Sequence, residues 1–169
     1  MAKGIPEQWR NRLRLPVIGS PMFLVSSLEY VLACCKSGVI GSFPAPNPRP
    51  PELLDVWMGR LNEELQAERE NHPEKKIAPW AINIICHSTN ERFEEQLALV
   101  KKHKPELVIT SLGSPKRVVE VVHDYGGLVF SDVSHMRFAH NVAEAGVDGI
   151  ILVCAGAGGH AGPTNSFAF

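Results

Sequence analysis

Residues 107–133 read LVITSLGSPKRVVEVVHDYGGLVFSDV, and this stretch contains one complete strand–helix–strand repeat. The runs Leu107–Ser111 and Leu128–Val133 are largely apolar without alternation, which is typical of parallel strands buried on both faces. The segment between them, Ser114–Tyr125, opens on a Ser-Pro pair, in which serine caps a helix and proline fits its first turn. Gly126–Gly127 supplies the left-handed residue that commonly ends a helix. The stretch therefore predicts a βαβ unit.

The same pattern recurs on both sides of this unit. Short apolar runs alternate with segments whose apolar residues follow the 3.6-residue period of a helix. Such an alternation predicts a parallel sheet, either an open doubly wound sheet or a (β/α)8 barrel, and the strand spacing alone leaves both open. The other predicted strands are Leu15–Ser20, Val39–Phe43, Ile77–Ile85 and Gly149–Cys154. The other predicted helices are Ser26–Ser37, Pro51–Asn71, Asn90–His103 and Ser134–Ala145.

Composition narrows the class of protein. We expect a single domain over residues 1–169, since 44% of the residues are apolar and no boundary signal interrupts the repeats. The formal net charge of −1 leaves no basic excess to neutralise a phosphate backbone, so no nucleic-acid partner is expected. No apolar run approaches the ~18 residues of a membrane span, and the N-terminus lacks the apolar core of a secretory signal. The sequence thus predicts a cytoplasmic protein without a membrane partner.

The four cysteines give no sign of a metal site or a disulfide framework. They are Cys34, Cys35, Cys86 and Cys154, and none of them has the CxxC spacing of a zinc site. Free cysteine usually behaves as a small buried apolar residue. We therefore expect four reduced thiols that fill apolar space, and no bound metal.

Candidate site residues lie at or near the carboxyl ends of three predicted strands, because parallel β/α folds carry their chemistry there. Pro21 and Met22 form a strand exit in which proline fixes the turn and methionine offers polarizable surface. Asn83 is a polar residue inside an apolar run, and its amide needs a partner from the protein or a ligand. Asp132 either accepts a hydrogen bond from a ligand or caps the following helix.

The strongest candidate is the glycine-rich loop after the last predicted strand. Residues 155–162 read AGAGGHAG, and four glycines here let the backbone approach a ligand closely. His160 lies among them, and histidine titrates near neutral pH, which suits proton abstraction. A nicotinamide-binding Rossmann site is disfavoured, since Ala161 stands at the third glycine position and no acidic ribose ligand follows.

Taken together, these segments resemble the nitronate monooxygenase family, also called 2-nitropropane dioxygenases. The resemblance implies a TIM-type parallel (β/α) barrel that binds FMN without a covalent bond. By its length the chain holds about six of the eight β/α units, which predicts the N-terminal part of a longer protein. The residues that carry the likeness are Leu15–Met22, Ala81–Asn83, Gly127–Val133, Ala143–Gly149 and Ala155–Gly162.

The resemblance also implies roles for individual residues. His160 matches the family's active-site histidine, which contacts the nitro group or acts as a base. The implied reaction is the oxidation of alkyl nitronates or nitroalkanes with O2, so the expected partners are a small-molecule substrate and O2. The cofactor-binding residues expected for FMN are Pro21, Met22, Asn83, Asp132, Gly158 and Gly159.

Several positions depart from the family pattern and leave the substrate open, and Ser131, Asp132 and Val153 occupy a region where a basic or glutamine residue often contacts the flavin. Ser20 stands where alanine is common, and Phe138 stands where histidine is frequent. One alternative is therefore an NADH oxidoreductase similar to the FMN-dependent enoyl-ACP reductases of the same superfamily. Another is a half-barrel without catalytic activity, which would self-associate into a homo-oligomer to cover the open edges of its sheet.

Overall fold

The computed structural model describes residues 4–169 as an alternation of helices and strands. A short 3₁₀ helix, Glu7–Trp9, comes first. The five strands lie in one parallel sheet in chain order, which confirms the predicted α/β class. The helices are α1 (Leu28–Lys36), α2 (Leu53–Asn71), α3 (Phe93–His103), α4 (Lys116–Asp124) and α5 (Met136–Glu144). The strands are β1 (Gly41–Pro44), β2 (Trp80–Ile85), β3 (Leu107–Ser111), β4 (Leu128–Val133) and β5 (Gly149–Leu152).

The chain divides into two compact units, a first unit that ends at Ile82 and a second unit that runs from Asn83 to Phe169. Each unit has an apolar core of its own. The single domain over residues 1–169 stays a prediction. Fully buried side chains of the first unit include Val31, Phe43, Met58, Leu61 and Ile77. Those of the second unit include Val100, Leu107, Ile109, Val118 and Val129.

The run Leu15–Ser20, predicted as a strand, makes one isolated parallel bridge, between Ile18 and Ile40. The N–H of Ile40 donates to the carbonyl oxygen of Val17 over 3.1 Å. The N–H of Val17 turns to the carbonyl two residues earlier, at 2.8 Å, and Pro16 has no N–H to donate. The parallel hydrogen bonding to the segment around Ile40 therefore cannot continue toward the N-terminal side of Ile18. The prediction of a strand over Leu15–Ser20 is wrong.

Helix α2 shows how the first unit packs. Its buried residues recur at helical spacing and face the core, while ion pairs such as Arg60–Glu64, at 2.7 Å, lie on the outer face. Among the helices of residues 4–169, none is long and apolar enough to cross a membrane. The buried stripe consists of Leu54, Met58, Leu61 and Leu65.

The thiols of all four cysteines are free, and Cys154 is buried as predicted, whereas Cys34 and Cys86 are partly exposed. Cys35 is buried, and its Sγ donates to the carbonyl oxygen of Pro79 over 3.3 Å. Burial raises the pKa of Cys35 to about 12 and the pKa of Cys86 to about 11. Because the thiolate is the reactive form, burial disfavours reaction at these two thiols.

The second unit is built around the strand–helix–strand repeat that the sequence predicts most clearly. Strand β3 pairs in parallel with β4, and β4 pairs in parallel with β5. Helix α4 buries Val118, Val119 and Val122. It ends where Gly126 adopts a φ of +83° and its N–H bonds to the carbonyl oxygen of His123 over 3.0 Å.

Candidate functional site

Three polar side chains form a hydrogen-bonded series at the carboxyl ends of β2, β3 and β4, which we call the polar network. The amide Nδ2 of Asn83 donates to Oγ of Ser111 over 2.7 Å, and that hydroxyl donates to Oδ2 of Asp132, also over 2.7 Å. Nδ2 of Asn83 also donates to the carbonyl oxygen of Ile109 over 3.3 Å. The structure thus connects two of the residues that the sequence singled out through a third one.

The register of β3 and β4 explains why Ser111 meets Asp132. Thr110 lies opposite Ser131 in the parallel pairing, so the next residues of the two strands are also neighbours. Successive side chains of a strand point to opposite faces of the sheet. Ser111 and Asp132 therefore share one face, and Thr110 and Ser131 share the other.

On the opposite face, the hydroxyls of Thr110 and Ser131 are satisfied within the protein, and we call them the closed pair. The two hydroxyls hydrogen-bond to each other, and Oγ1 of Thr110 donates to the carbonyl oxygen of Phe130 over 3.3 Å. Thr110 and Ser131 are 1% and 2% exposed. Buried polar groups that are paired in this way belong to the core and have no group to offer a ligand.

Asp132 has an unusual environment for a carboxyl group. Burial raises the pKa of Asp132, because the charged form loses its hydration, and the hydrogen bond from Ser111 offsets part of that rise. Carboxyl groups whose pKa is shifted by burial and a specific partner are frequent at functional sites. The position of Asp132 at the end of β4 agrees with such a role.

The glycine-rich loop follows β5 and is anchored at its base. The carbonyl oxygen of Cys154 accepts from the N–H of Ala157 over 3.2 Å and from that of Gly162 over 3.3 Å. A Cβ at Gly162 would lie 2.0 Å from the carbonyl oxygen of Val153, so glycine is the residue that fits there. The loop is thus held by its two ends, close to the end of the strand.

The tip of this loop is open. A Cβ at Gly158 or at Gly159 would meet no atom of residues 4–169 within 4 Å. His160 is exposed, and within the described part of the chain no hydrogen bond to its imidazole is found. The backbone of the two glycines and the imidazole are therefore all accessible to a ligand.

Pro21 and Met22 lie in the first unit, at the start of a loop that is held by two polar side chains. Oγ of Ser26 accepts from the N–H of Met22 over 2.9 Å and donates to the carbonyl oxygen of Ser20 over 3.1 Å. Nδ2 of Asn47 donates to the carbonyl oxygens of Met22 and Ser26, over 3.0 and 2.9 Å. Both supporting residues escaped the sequence reasoning, although Asn47 is the lone amide of the proline-rich segment FPAPNPRPP.

The predicted site residues are distributed over both units. Pro21 and Met22 belong to the first unit, and the other five belong to the second. Within the second unit, the polar network connects Asn83 with Asp132, while Gly158 to His160 lie on the loop after β5. The assignment of all seven residues to one site stays a prediction.

No protein-family model matches the chain, and no curated protein sequence matches it either. Solved structures do match. FabK from Thermotoga maritima has a TM-score of 0.69 at 20% identity, over 93% of this chain and 46% of that chain. A mutant of the same FabK has a TM-score of 0.67 at 19% identity, over 93% and 49%. A nitroalkane oxidase from Streptomyces ansochromogenes has a TM-score of 0.67 at 18% identity, over 90% and 50%.

These matches define the class of the protein by its fold. The chain has the parallel β/α fold of FabK and of the nitroalkane oxidase, which agrees with the predicted barrel type. It spans about half the length of the solved structures that it matches. A shared fold hosts many activities, so the function has to be argued from the site.

Proposed function

We propose that this chain contributes to the FMN site of an oxidoreductase that oxidises alkyl nitronates or nitroalkanes with O2. The observation that carries the proposal is the polar network, which ends in an amide oxygen, Oδ1 of Asn83, without a donor from residues 4–169. Asn83 is 8% exposed, and Oδ1 is not among the fully buried atoms of residues 4–169 that lack a partner, so this acceptor is accessible to a bound ligand. A planar heterocycle with donors and acceptors on its edge, such as the flavin ring, can donate to this acceptor.

Two further features support a flavin. The open backbone at Gly158 and Gly159 leaves room for a cofactor to approach the loop after β5. The shared fold includes a protein whose name describes the oxidation of nitroalkanes, and the loop sequence resembles that of the nitronate monooxygenase family. Asp132 is proposed to support this site through Ser111, and Pro21 and Met22 stay cofactor contacts that the sequence predicts.

His160 is the proposed base. An accessible neutral imidazole can take a proton from the carbon beside a nitro group, or it can contact the nitro oxygens and orient them. FMN, when bound, supplies the redox chemistry, which no side chain of the protein can provide. The role of the protein is then to hold the substrate and to move one proton at His160.

The variant His160→Ala tests this role. We expect turnover of a neutral nitroalkane, whose carbon still carries the proton, to fall by roughly 10²- to 10⁴-fold, the usual contribution of a general base, while the flavin absorbance of the reconstituted protein stays. The matched control is His140→Ala, which removes another exposed histidine of the second unit and should leave turnover unchanged. Flavin-bound His160→Ala with normal turnover would remove His160 from the mechanism.

The cofactor is tested separately by the absorbance spectrum of the purified chain after addition of FMN. We expect flavin bands that stay with the protein through a desalting column. The variant Asn83→Leu replaces the amide by an apolar group of similar size and should weaken FMN binding about tenfold or more. A colourless wild-type protein would contradict the proposal.

The likeness to FabK favours a second flavin reaction, the NADH-dependent reduction of an enoyl thioester. Stopped-flow absorbance separates the two candidates. Rapid bleaching of the flavin by NADH would favour the reductase, whereas bleaching by a nitronate would favour the first proposal.

A third candidate function has no catalysis. Ile150 and Leu152 of β5 are 40% and 49% exposed, and exposed apolar side chains on a strand favour self-association. Colourless, oligomeric protein on a sizing column, without flavin uptake, would favour this reading.

A further inference from the structure

The amide of Asn83 has one orientation that suits its neighbours. Its nitrogen Nδ2 faces two acceptors, the carbonyl oxygen of Ile109 at 3.3 Å and Oγ of Ser111 at 2.7 Å. If the amide were turned over, its oxygen would face the carbonyl oxygen, and two acceptors cannot hydrogen-bond. The nitrogen therefore points to the protein, and Oδ1 is the amide atom that remains for a ligand.

Asp132 sets the direction of the hydrogen bond at Ser111. A serine hydroxyl can donate or accept, whereas a carboxylate accepts. The proton of Ser111 therefore goes to Oδ2 of Asp132, and the hydroxyl oxygen is left to accept from Asn83. Without the carboxylate, the hydroxyl could turn its proton toward Asn83 and favour the opposite orientation of the amide.

The atom that faces the ligand is thus an acceptor. Oδ1 of Asn83 has no donor among residues 4–169, and the residue is more than nine-tenths buried. A ligand that satisfies this oxygen must offer an N–H or O–H group. The oxidised flavin ring has one ring N–H, at N3, and its two carbonyl groups cannot donate.

We propose that Ser111 and Asp132 are positioning residues that hold Asn83 as a hydrogen-bond acceptor, so that this end of the sheet selects planar ligands with an N–H. The inference rests on the proposed flavin function, in which the selected group is N3–H of FMN. Asp132 then acts through Ser111 and does not contact the cofactor itself, which differs from the role that the sequence predicts for it.

The first test compares FMN with N3-methyl-FMN, which lacks the N–H, by fluorescence titration of the whole chain. We expect the wild type to bind FMN at least about tenfold more tightly than the methylated form. The variant Asn83→Ala measures how much of this preference is caused by the bulk of the methyl group. In Ser111→Ala and in Asp132→Asn, the preference for FMN over the methylated form should fall to the value measured in Asn83→Ala. In Ser131→Ala, which changes the opposite face, it should stay.

The outcomes separate this inference from the function on which it rests. An equal preference in the wild type and in Ser111→Ala would overturn the positioning role, while the binding of FMN would still support a flavoprotein. If the wild type binds no FMN, the proposed function fails, and the positioning role is then judged on the free protein.

In the free protein, NMR reports hydrogen exchange of the Asn83 side-chain amide, whose signals are identified by their loss in Asn83→Ala. We expect slow exchange in the wild type and in Ser131→Ala, and exchange at least about tenfold faster in Ser111→Ala, where the amide loses its shorter hydrogen bond. Equal exchange rates in the wild type and Ser111→Ala would overturn the inference without reference to any flavin.

Discussion

Two sets of polar side chains lie at the same level of the sheet, on opposite faces of β3 and β4. Thr110 and Ser131 pair with each other and are almost completely buried. The polar network instead ends in Oδ1 of Asn83, which no residue of the described chain satisfies. Since neighbouring positions of the same strands supply both sets, residue type alone does not separate a structural hydroxyl from a functional one. The difference is whether every polar atom of the set finds its hydrogen-bond partner within the protein.

Breaking the closed pair should have the largest effect on stability. In Thr110→Val, the hydroxyl of Ser131 is left buried without its partner, so we expect the free energy of unfolding to fall by about 1–3 kcal/mol. Urea unfolding measures this as a lower midpoint at an unchanged slope. FMN affinity should not change, because the closed pair has no group for a ligand. A midpoint equal to that of the wild type would contradict the distinction between the two faces.

The polar network should show a smaller loss of stability and a larger effect on the ligand. In Ser111→Ala, we expect unfolding free energy to fall by about 0.5–1.5 kcal/mol, since water can reach part of this network and replace the lost bonds. The same urea titration gives the free energy of unfolding, and an FMN titration run beside it gives the affinity for the cofactor. A loss of stability as large as that of Thr110→Val, with unchanged FMN affinity, would show that both sets are structural.

The smallest expected effect concerns the charge of Asp132. Burial raises the pKa of this carboxyl in the folded state, so its contribution to stability is fully present below the ordinary pKa of aspartate and is lost as the pH rises through the raised value. Ionisation of this carboxyl as the pH rises therefore costs stability, and Asp132→Asn removes that cost.

Thermal unfolding at two pH values measures this. The melting temperature of Asp132→Asn, relative to the wild type, should be higher at pH 7 than at pH 4. The matched control is Asp124→Asn, which removes an exposed carboxylate at the end of α4. A relative melting temperature that increases toward acid would contradict the assigned direction.

The elements were predictable where their signals are local. The observed bounds of β3 and β4 agree residue for residue with the predicted runs, because each run is apolar and a glycine or a turn limits it. The run Leu15–Ser20 is equally apolar, yet it makes one bridge. Hydropathy does not report whether the backbone donors of a segment can reach a neighbour, and here a proline and a local turn prevent it.

The site was predictable in part for a related reason. Asn83 and Asp132 stand out because each interrupts an apolar strand, and burying a polar group requires a partner. The connecting role of Ser111, and the support that Asn47 gives to the loop at Met22, depend on contacts between residues more than 20 positions apart. No spacing rule within one segment reveals such contacts.

The sequence by itself determined the alternation of strands and helices, the glycine loop with His160 and the polar residues at the strand ends. These depend on side-chain periodicity and backbone freedom, which are local properties of the chain. The tertiary structure alone decided that Ser111 lies between Asn83 and Asp132, while Thr110, one residue away, closes on Ser131. That choice depends on the register between strands, because a shift of one residue would exchange the two faces.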